Sequence, residues 1–169
     1  MNNLFSAIYD AKLIVSKYVN CCYVDDDNFI FPQAIESCSN FLNNNKDYIG
    51  CQGLAFVYDK KKQKYLSSYN LSSFEGENVI TRIQNYNKEN SLVFYALIRT
   101  KVMIEICRNI KKIKDDNLSE VLFNYLSVVM GKVKKINALY LAREYPRPKI
   151  YNIPSKFNWL QNSNLSSEI

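Results

Sequence analysis

The sequence predicts an α+β fold: a mainly antiparallel sheet of hairpins packed with about four helices, the last of them long and followed by an extended Pro/aromatic tail. Three observations carry that expectation. Apolar runs bounded by turn residues alternate with segments whose apolar residues recur every three or four positions. Hairpins interleaved with helices put the helices against an antiparallel sheet rather than between parallel strands. The chain has 169 residues, 47% hydrophobic and 22% charged, the size of one domain. Such a chain buries a core without metal or disulfide.

The elements follow in order. Leu4, Ile8, Ala11, Val15 and Tyr18 share one helical face, predicting a helix over residues 3–18. Next, Cys21-Cys22-Tyr23-Val24 and Phe29-Ile30-Phe31 flank Asp25-Asp26-Asp27-Asn28. Asp and Asn bond their own backbone, so a hairpin is expected there. Pro32 suits the first turn of a helix through about Leu42, with Ile35, Cys38, Phe41 and Leu42 inward. Residues 53–58 read as a buried strand, 59–63 as a turn and 64–69 as the returning strand.

Ser72 and Ser73, followed by Glu75 and Glu77, open a helix holding Val79, Ile80, Ile83 and Tyr86; the acids suit its positive end. Residues 92–98 and 102–106 predict another hairpin, turning near Arg99-Thr100, with a continuous helix over 91–113 as the alternative. Finally Asp116 or Asn117 caps a helix striped by Leu118, Val121, Leu122, Tyr125, Val129, Val133, Ile136 and Tyr140. Gly131 inside it costs about 1 kcal/mol relative to Ala, which implies a close packing contact. Residues 1–142 are expected to form one domain. Pro146, Pro148 and Pro154 each remove a backbone donor, so residues 143–169 are expected to be an extended arm. The order is loosely similar to small profilin-like or longin-like domains, a similarity of pattern that carries no function.

Composition excludes several chemistries. There is no histidine, which removes Ser-His-acid and Cys-His nucleophile pairs and His-containing zinc sites. The cysteines, Cys21, Cys22, Cys38, Cys51 and Cys107, are odd in number and form no C-x-x-C knuckle, so neither a disulfide framework nor a four-thiolate zinc site is expected. They read as small buried apolar residues in a reducing compartment. No cofactor is implied. The opening residues Met1 to Phe5 lack the basic, apolar character of a signal peptide, and apolar runs stop well short of the roughly 18 residues of a membrane span. The expected location is intracellular: cytoplasm or nucleus of a host cell, or an organelle matrix. Abundant Asn, Lys, Ile, Tyr and Phe point to an AT-rich genome, such as that of a virus, parasite, organelle or bacterium.

Two acidic motifs suggest metal chemistry. Tyr23-Val24-Asp25-Asp26 resembles the metal-binding hairpin of reverse transcriptases, but only Asp10 precedes it, inside the first helix. An acidic turn is the simpler reading. Asp59-Lys60-Lys61 matches the acid-x-Lys element of restriction-type nucleases, with Asp47 or Glu36 as an upstream acid.

Charge and aromatics point elsewhere. Net charge is +6 and the isoelectric point about 9.0, from lysines clustered at 60–64, 111–114 and 132–135 and from Arg143, Arg147 and Lys149. Only 5 of 22 basic residues are Arg, so backbone contact is expected rather than sequence readout. Tyr58, Tyr65, Tyr69 and Tyr95 are candidates to stack unpaired bases from strands. The expected function is a non-enzymatic binding protein, a component of a nucleoprotein or virus-encoded assembly. Lys60, Lys61, Lys62, Lys111, Lys112, Lys132, Lys135 and Arg147 would contact phosphates. Tyr151, Phe157 and Trp159, within residues 145–160, would grip a protein partner or a second copy. The alternatives are a protein-interaction module (an antagonist of a host factor, or a homodimerising domain) and a metal-dependent nuclease using Asp59 and Lys61. The first expectation requires the lysine clusters to share one face.

Overall fold

The structure, a computed structural model, describes residues 4–89 and 91–145. The elements are α1 (Leu4–Asp10), α2 (Lys12–Val15), β1 (Asn20–Cys21), β2 (Asn28–Ile30), α3 (Pro32–Asn44), β3 (Tyr48–Asp59), β4 (Lys64–Tyr69), α4 (Val79–Glu89), β5 (Leu97–Arg99), α5 (Thr100–Ile110), α6 (Asp116–Met130) and β6 (Lys132–Glu144). Helices packed with a six-stranded mixed sheet make this an α+β fold. The strand order is β1-β5-β3-β6-β2, with β4 paired to β3. Four pairings are antiparallel. The longest pairing is parallel: β3 runs beside β6 from Tyr48↔Lys132 to Tyr58↔Glu144. A parallel pair needs a long crossover, and here it consists of β4, α4, β5, α5 and α6.

Several elements differ from the expectation, each for a local reason. The first helix breaks at Ala11, whose ψ of 2° leaves the helical range, and Tyr18 is 66% exposed rather than on a buried stripe. The expected hairpin around Asp25–Asn28 keeps its turn, with the Asn28 amide donating to the Asp25 carbonyl at 3.2 Å. Its arms do not pair with each other, however. Cys21 pairs Ile98 on β5 and Phe29 pairs Ala142 on β6, so β1 and β2 lie at opposite edges of the sheet. The helix expected from Ser72 starts at Val79, and Asn78 caps it by accepting from the Thr81 amide at 2.9 Å. Phe74 is held in an isolated bridge to Val133, which ties the segment ahead of Asn78 to β6 and out of a helix.

Neither the hairpin at 92–106 nor the continuous helix forms. Strand Leu97–Arg99 leads straight into helix Thr100–Ile110 with no turn between them; the helix buries Met103, Ile106, Cys107 and Ile110 at helical spacing, but Val102-Met103-Ile104 and Ile106 also read as a short apolar strand. The last helix, capped by Asp115 through the Leu118 amide at 2.9 Å, ends at Met130. Val133, Ile136 and Tyr140 belong instead to strand β6. Their helix-like spacing comes from register shifts along β6, where Leu54↔Leu139 is followed by Ala55↔Leu141. The close contact expected at Gly131 is real but involves a strand: a Cβ there would lie 2.4 Å from Ile49 Cγ2. Arg143 and Glu144, assigned to the arm from sequence, complete β6.

Packing centres on buried aromatics. Phe5, Phe94 and Phe123 have ring centroids 5.3–6.0 Å apart, joining α1 and α6 to the segment before β5. Arg82, 6% exposed, donates from α4 to the Val128 carbonyl at 2.7 Å and to that of Val129 at 3.0 Å. Those carbonyls belong to the end of α6, which lacks helical partners, and the cation suits that negative end. Gly53 marks where β3 and β6 touch: a Cβ there would stand 2.3 Å from the Ala138 carbonyl oxygen. No helix among the described residues is long and apolar enough to cross a membrane.

Candidate nucleic-acid interface

Four strands build an open aromatic groove. Phe29, Ala142, Phe56 and Ser68 form one register row across β2, β6, β3 and β4. Side chains directly opposite one another share a face of the sheet. In the next row Tyr58 opposes Glu144 on β6 and, past a register shift, Tyr65 on β4. Phe29, Phe56, Tyr58, Tyr65 and Ala142 thus line a groove of about 520 Å³, rimmed by Lys60, Gln63 and Lys64. The rings of Tyr58 and Tyr65 lie 6.4 and 6.2 Å from that of Phe56. Phe29 and Tyr65 are 51% and 57% exposed, which is unusual for side chains of this size.

The turn that closes the hairpin sets the rim. Asp59 Oδ1 accepts from the amides of Lys61 and Lys62, both at 3.0 Å, fixing a tight turn. Gln63 has a φ of 47°, in the left-handed region that favours glycine, which costs roughly 1–2 kcal/mol. The pairs Lys60–Glu144 and Lys62–Asp59, at 4.0 and 3.9 Å, are solvent-exposed on the lysine side and contribute little. These ammonium groups therefore remain able to meet phosphates.

The lysine clusters do not converge. Lys60, Lys61 and Lys62 lie past the C-terminal end of β3, whereas Lys132 pairs with Tyr48 at its start, up to roughly 35 Å away. Lys132 is 14% exposed and held by Glu77 at 2.7 Å and Asp47 at 3.0 Å. These bonds raise its pKa, Glu77 contributing most. Lys134 is paired with Glu75 at 2.9 Å. Lys135 lines a separate polar cleft. Lys111 lies 3.7 Å above the Tyr9 ring, and Lys112 is exposed just past α5. Arg147, Tyr151, Phe157 and Trp159 fall outside the described residues. The last described residue, Tyr145, donates its amide to the Tyr58 carbonyl at 2.7 Å, at the groove's end.

Among the tyrosines singled out in the sequence, Tyr58 and Tyr65 enter the groove. Tyr95 is buried and donates its hydroxyl to Asp25 at 2.7 Å. Only the backbone of Tyr69 is described. Sequence reasoning missed Phe29, Phe56 and Ala142, and placed Lys64 only within its lysine cluster. The one available signal was Phe29-Ile30-Phe31, an apolar triplet too short to bury both its faces.

The acidic motifs are engaged structurally. Asp59 is bound by its own turn, Asp47 by Lys132, and Asp25 by Asn28 and Tyr95. Among the described residues no three Cys, Asp or Glu side chains gather to hold a metal. The cysteines are free; Cys38, Cys51 and Cys107 are buried. Burial raises the Cys107 thiol to about 12, which keeps it protonated and unreactive. The chain matches no protein-family model and no curated protein.

Proposed function

We propose that this is a non-enzymatic binding protein that takes single-stranded nucleic acid in the aromatic groove. Bases stack on Phe56, Tyr58, Tyr65 and Phe29 while Lys60, Lys61, Lys62 and Lys64 meet the backbone. One observation carries the reading: rings from three strands, those of Phe29 and Tyr65 exposed and those of Phe56 and Tyr58 half-buried, share a groove whose rim bears lysines. Aromatic platforms beside basic rims suit unpaired bases, because every base has a face to stack and lysine selects no sequence. A role within a nucleoprotein or virus-encoded assembly fits such low specificity. Fluorescence anisotropy at low salt tests it, with single-stranded and duplex oligonucleotides of one sequence. The single strand should bind more tightly, with affinity falling steeply as salt rises. Equal affinity for both, or none for either, defeats the proposal.

A protein-interaction reading draws on a different surface. Leu13, Ile14, Tyr18 and Val19 are 65–76% exposed within seven residues, a run that a monomer in water does not need. Self-association through this run should raise the sedimenting mass with concentration and be lost in Leu13→Asp. A single monomeric species at all concentrations removes this reading.

A further inference from the structure

Strand β4 joins the aromatic groove to a second cleft of opposite character. Lys64 and Tyr65, at its start, line the groove; past its end the chain runs through Asn70, Ser72 and Ser73. These face Lys88 and Glu89 of α4 and Lys135 of β6 across a polar cleft of about 500 Å³. The serines are held in place. The Ser72 amide donates to Ser91 Oγ at 2.8 Å, and Ser73 Oγ accepts from the Lys135 amide at 2.8 Å. Charge is distributed unevenly along β6. Lys132 and Lys134 are neutralised by Asp47, Glu77 and Glu75, whereas Lys88 and Lys135 form no ion pair among the described residues. Among the described residues Glu89 is the one carboxylate lining the cleft, and it accepts from Ser72 Oγ at 3.3 Å.

We propose that this cleft is a phosphodiester-binding site, and that it takes the backbone of the same strand whose bases stack in the aromatic groove. The inference rests on the groove reading. Tyr65 on β4 and Asn70 just past its end are five residues apart, roughly 17 Å along an extended chain, or about five nucleotides at a rise of about 3.4 Å each. Residues 64–68 are exposed throughout, so nothing described covers the path between the two ends. Lys88 and Lys135 supply the ammonium groups, and the Asn70 and Asn85 amides supply neutral donors beside them.

The test compares oligothymidylates of two lengths on the full chain. A nonanucleotide spans both sites and should bind at least about tenfold more tightly than a trinucleotide, because the second contact is intramolecular. Replacing both lysines (Lys88→Gln with Lys135→Gln) should abolish that gain and lower the salt slope by about 1.4, two contacts at about 0.7 each on a single strand. It should leave trinucleotide binding unchanged, while Tyr65→Ala should weaken both lengths. If the double variant binds the nonanucleotide with wild-type affinity and slope, the cleft is not a backbone site, although the groove reading stands. If Tyr65→Ala is silent at both lengths, the groove reading fails and the shared path with it.

Discussion

Tyr65 lies diagonally across the β3–β4 hairpin from Phe56 with ring centres 6.2 Å apart, tilted by 42°, and its hydroxyl shares a hydrogen bond with Ser68 at 3.0 Å. The bond and the neighbouring ring hold an exposed side chain at a set angle, ready to stack before any ligand arrives. Base–aromatic stacking contributes about 1–3 kcal/mol per base. Tyr65→Ala should therefore weaken single-strand binding by about fivefold or more, while the melting temperature moves little because the ring is 57% exposed. Anisotropy and circular dichroism on the same preparation separate the two effects. A large stability loss with intact binding would assign Tyr65 to the fold instead.

The separated lysine clusters predict different salt behaviour. Replacing Lys60, Lys61 and Lys62 together with Gln should lower the slope of log affinity against log salt by about 2, near 0.7 per phosphate contact. Lys132→Gln should leave that slope unchanged, since Glu77 and Asp47 already hold its ammonium group. It should change the melting temperature little, because Asp47 and Glu77 are 58% and 88% exposed and remain solvated without it. Equal slopes for both variants would return the interface to a diffuse basic surface.

Arg82 predicts the largest loss of stability. Arg82→Met keeps the aliphatic stem but leaves the Val128 and Val129 carbonyls unmet. At about 1–3 kcal/mol for each of the two groups, unfolding in urea should reveal a loss of about 2–6 kcal/mol. Arg82→Lys should fall between, because one ammonium cannot reproduce the fork. A loss under about 1 kcal/mol would mean that water reaches those carbonyls.

Two glutamates predict opposite pH dependence. Burial works against ionised Glu75, yet bonds from Tyr48 at 2.6 Å and Lys134 at 2.9 Å hold its pKa below the ordinary value. Its contribution is therefore present above the unfolded pKa, near 4.5, and is lost as pH falls through the folded value. Glu120 is raised by burial, with Arg143 offsetting part of the effect. Its contribution is greatest below the unfolded pKa and is lost as pH rises through the folded one. Thermal melts from pH 3 to 7 should show Glu75→Gln destabilising near neutrality, with the deficit closing in acid. Glu120→Gln should be neutral or stabilising at pH 7 and lose any advantage in acid. The same sign for both would overturn the assignment.

Where local signals sufficed, the chain was readable. Pro32 opens α3, and the hairpin of β3 and β4 around Asp59 forms as its turn residues require. Helix α6 begins within a residue or two of its expected cap. Beyond Met130 the reading failed, because a strand with register shifts presents Val133, Ile136 and Tyr140 at a helix-like spacing. The groove was half legible. Tyr58 and Tyr65 stood out as strand tyrosines near lysines, but Ala142 meets Phe29 and Phe56 through pairings between residues 113 and 86 positions apart. No local pattern encodes that pairing.

The parallel seam between β3 and β6 also governs the order in which the molecule can be assembled. Residues 48–58 leave the ribosome long before residues 132–144, their partners on one side. Until the later segment emerges, β3 and β2 each present unpaired amides and carbonyls to solvent or to one another's neighbours. Closing so long a loop places this chain among the slower folders of its size. The nascent protein should thus depend on chaperone cover through most of its translation.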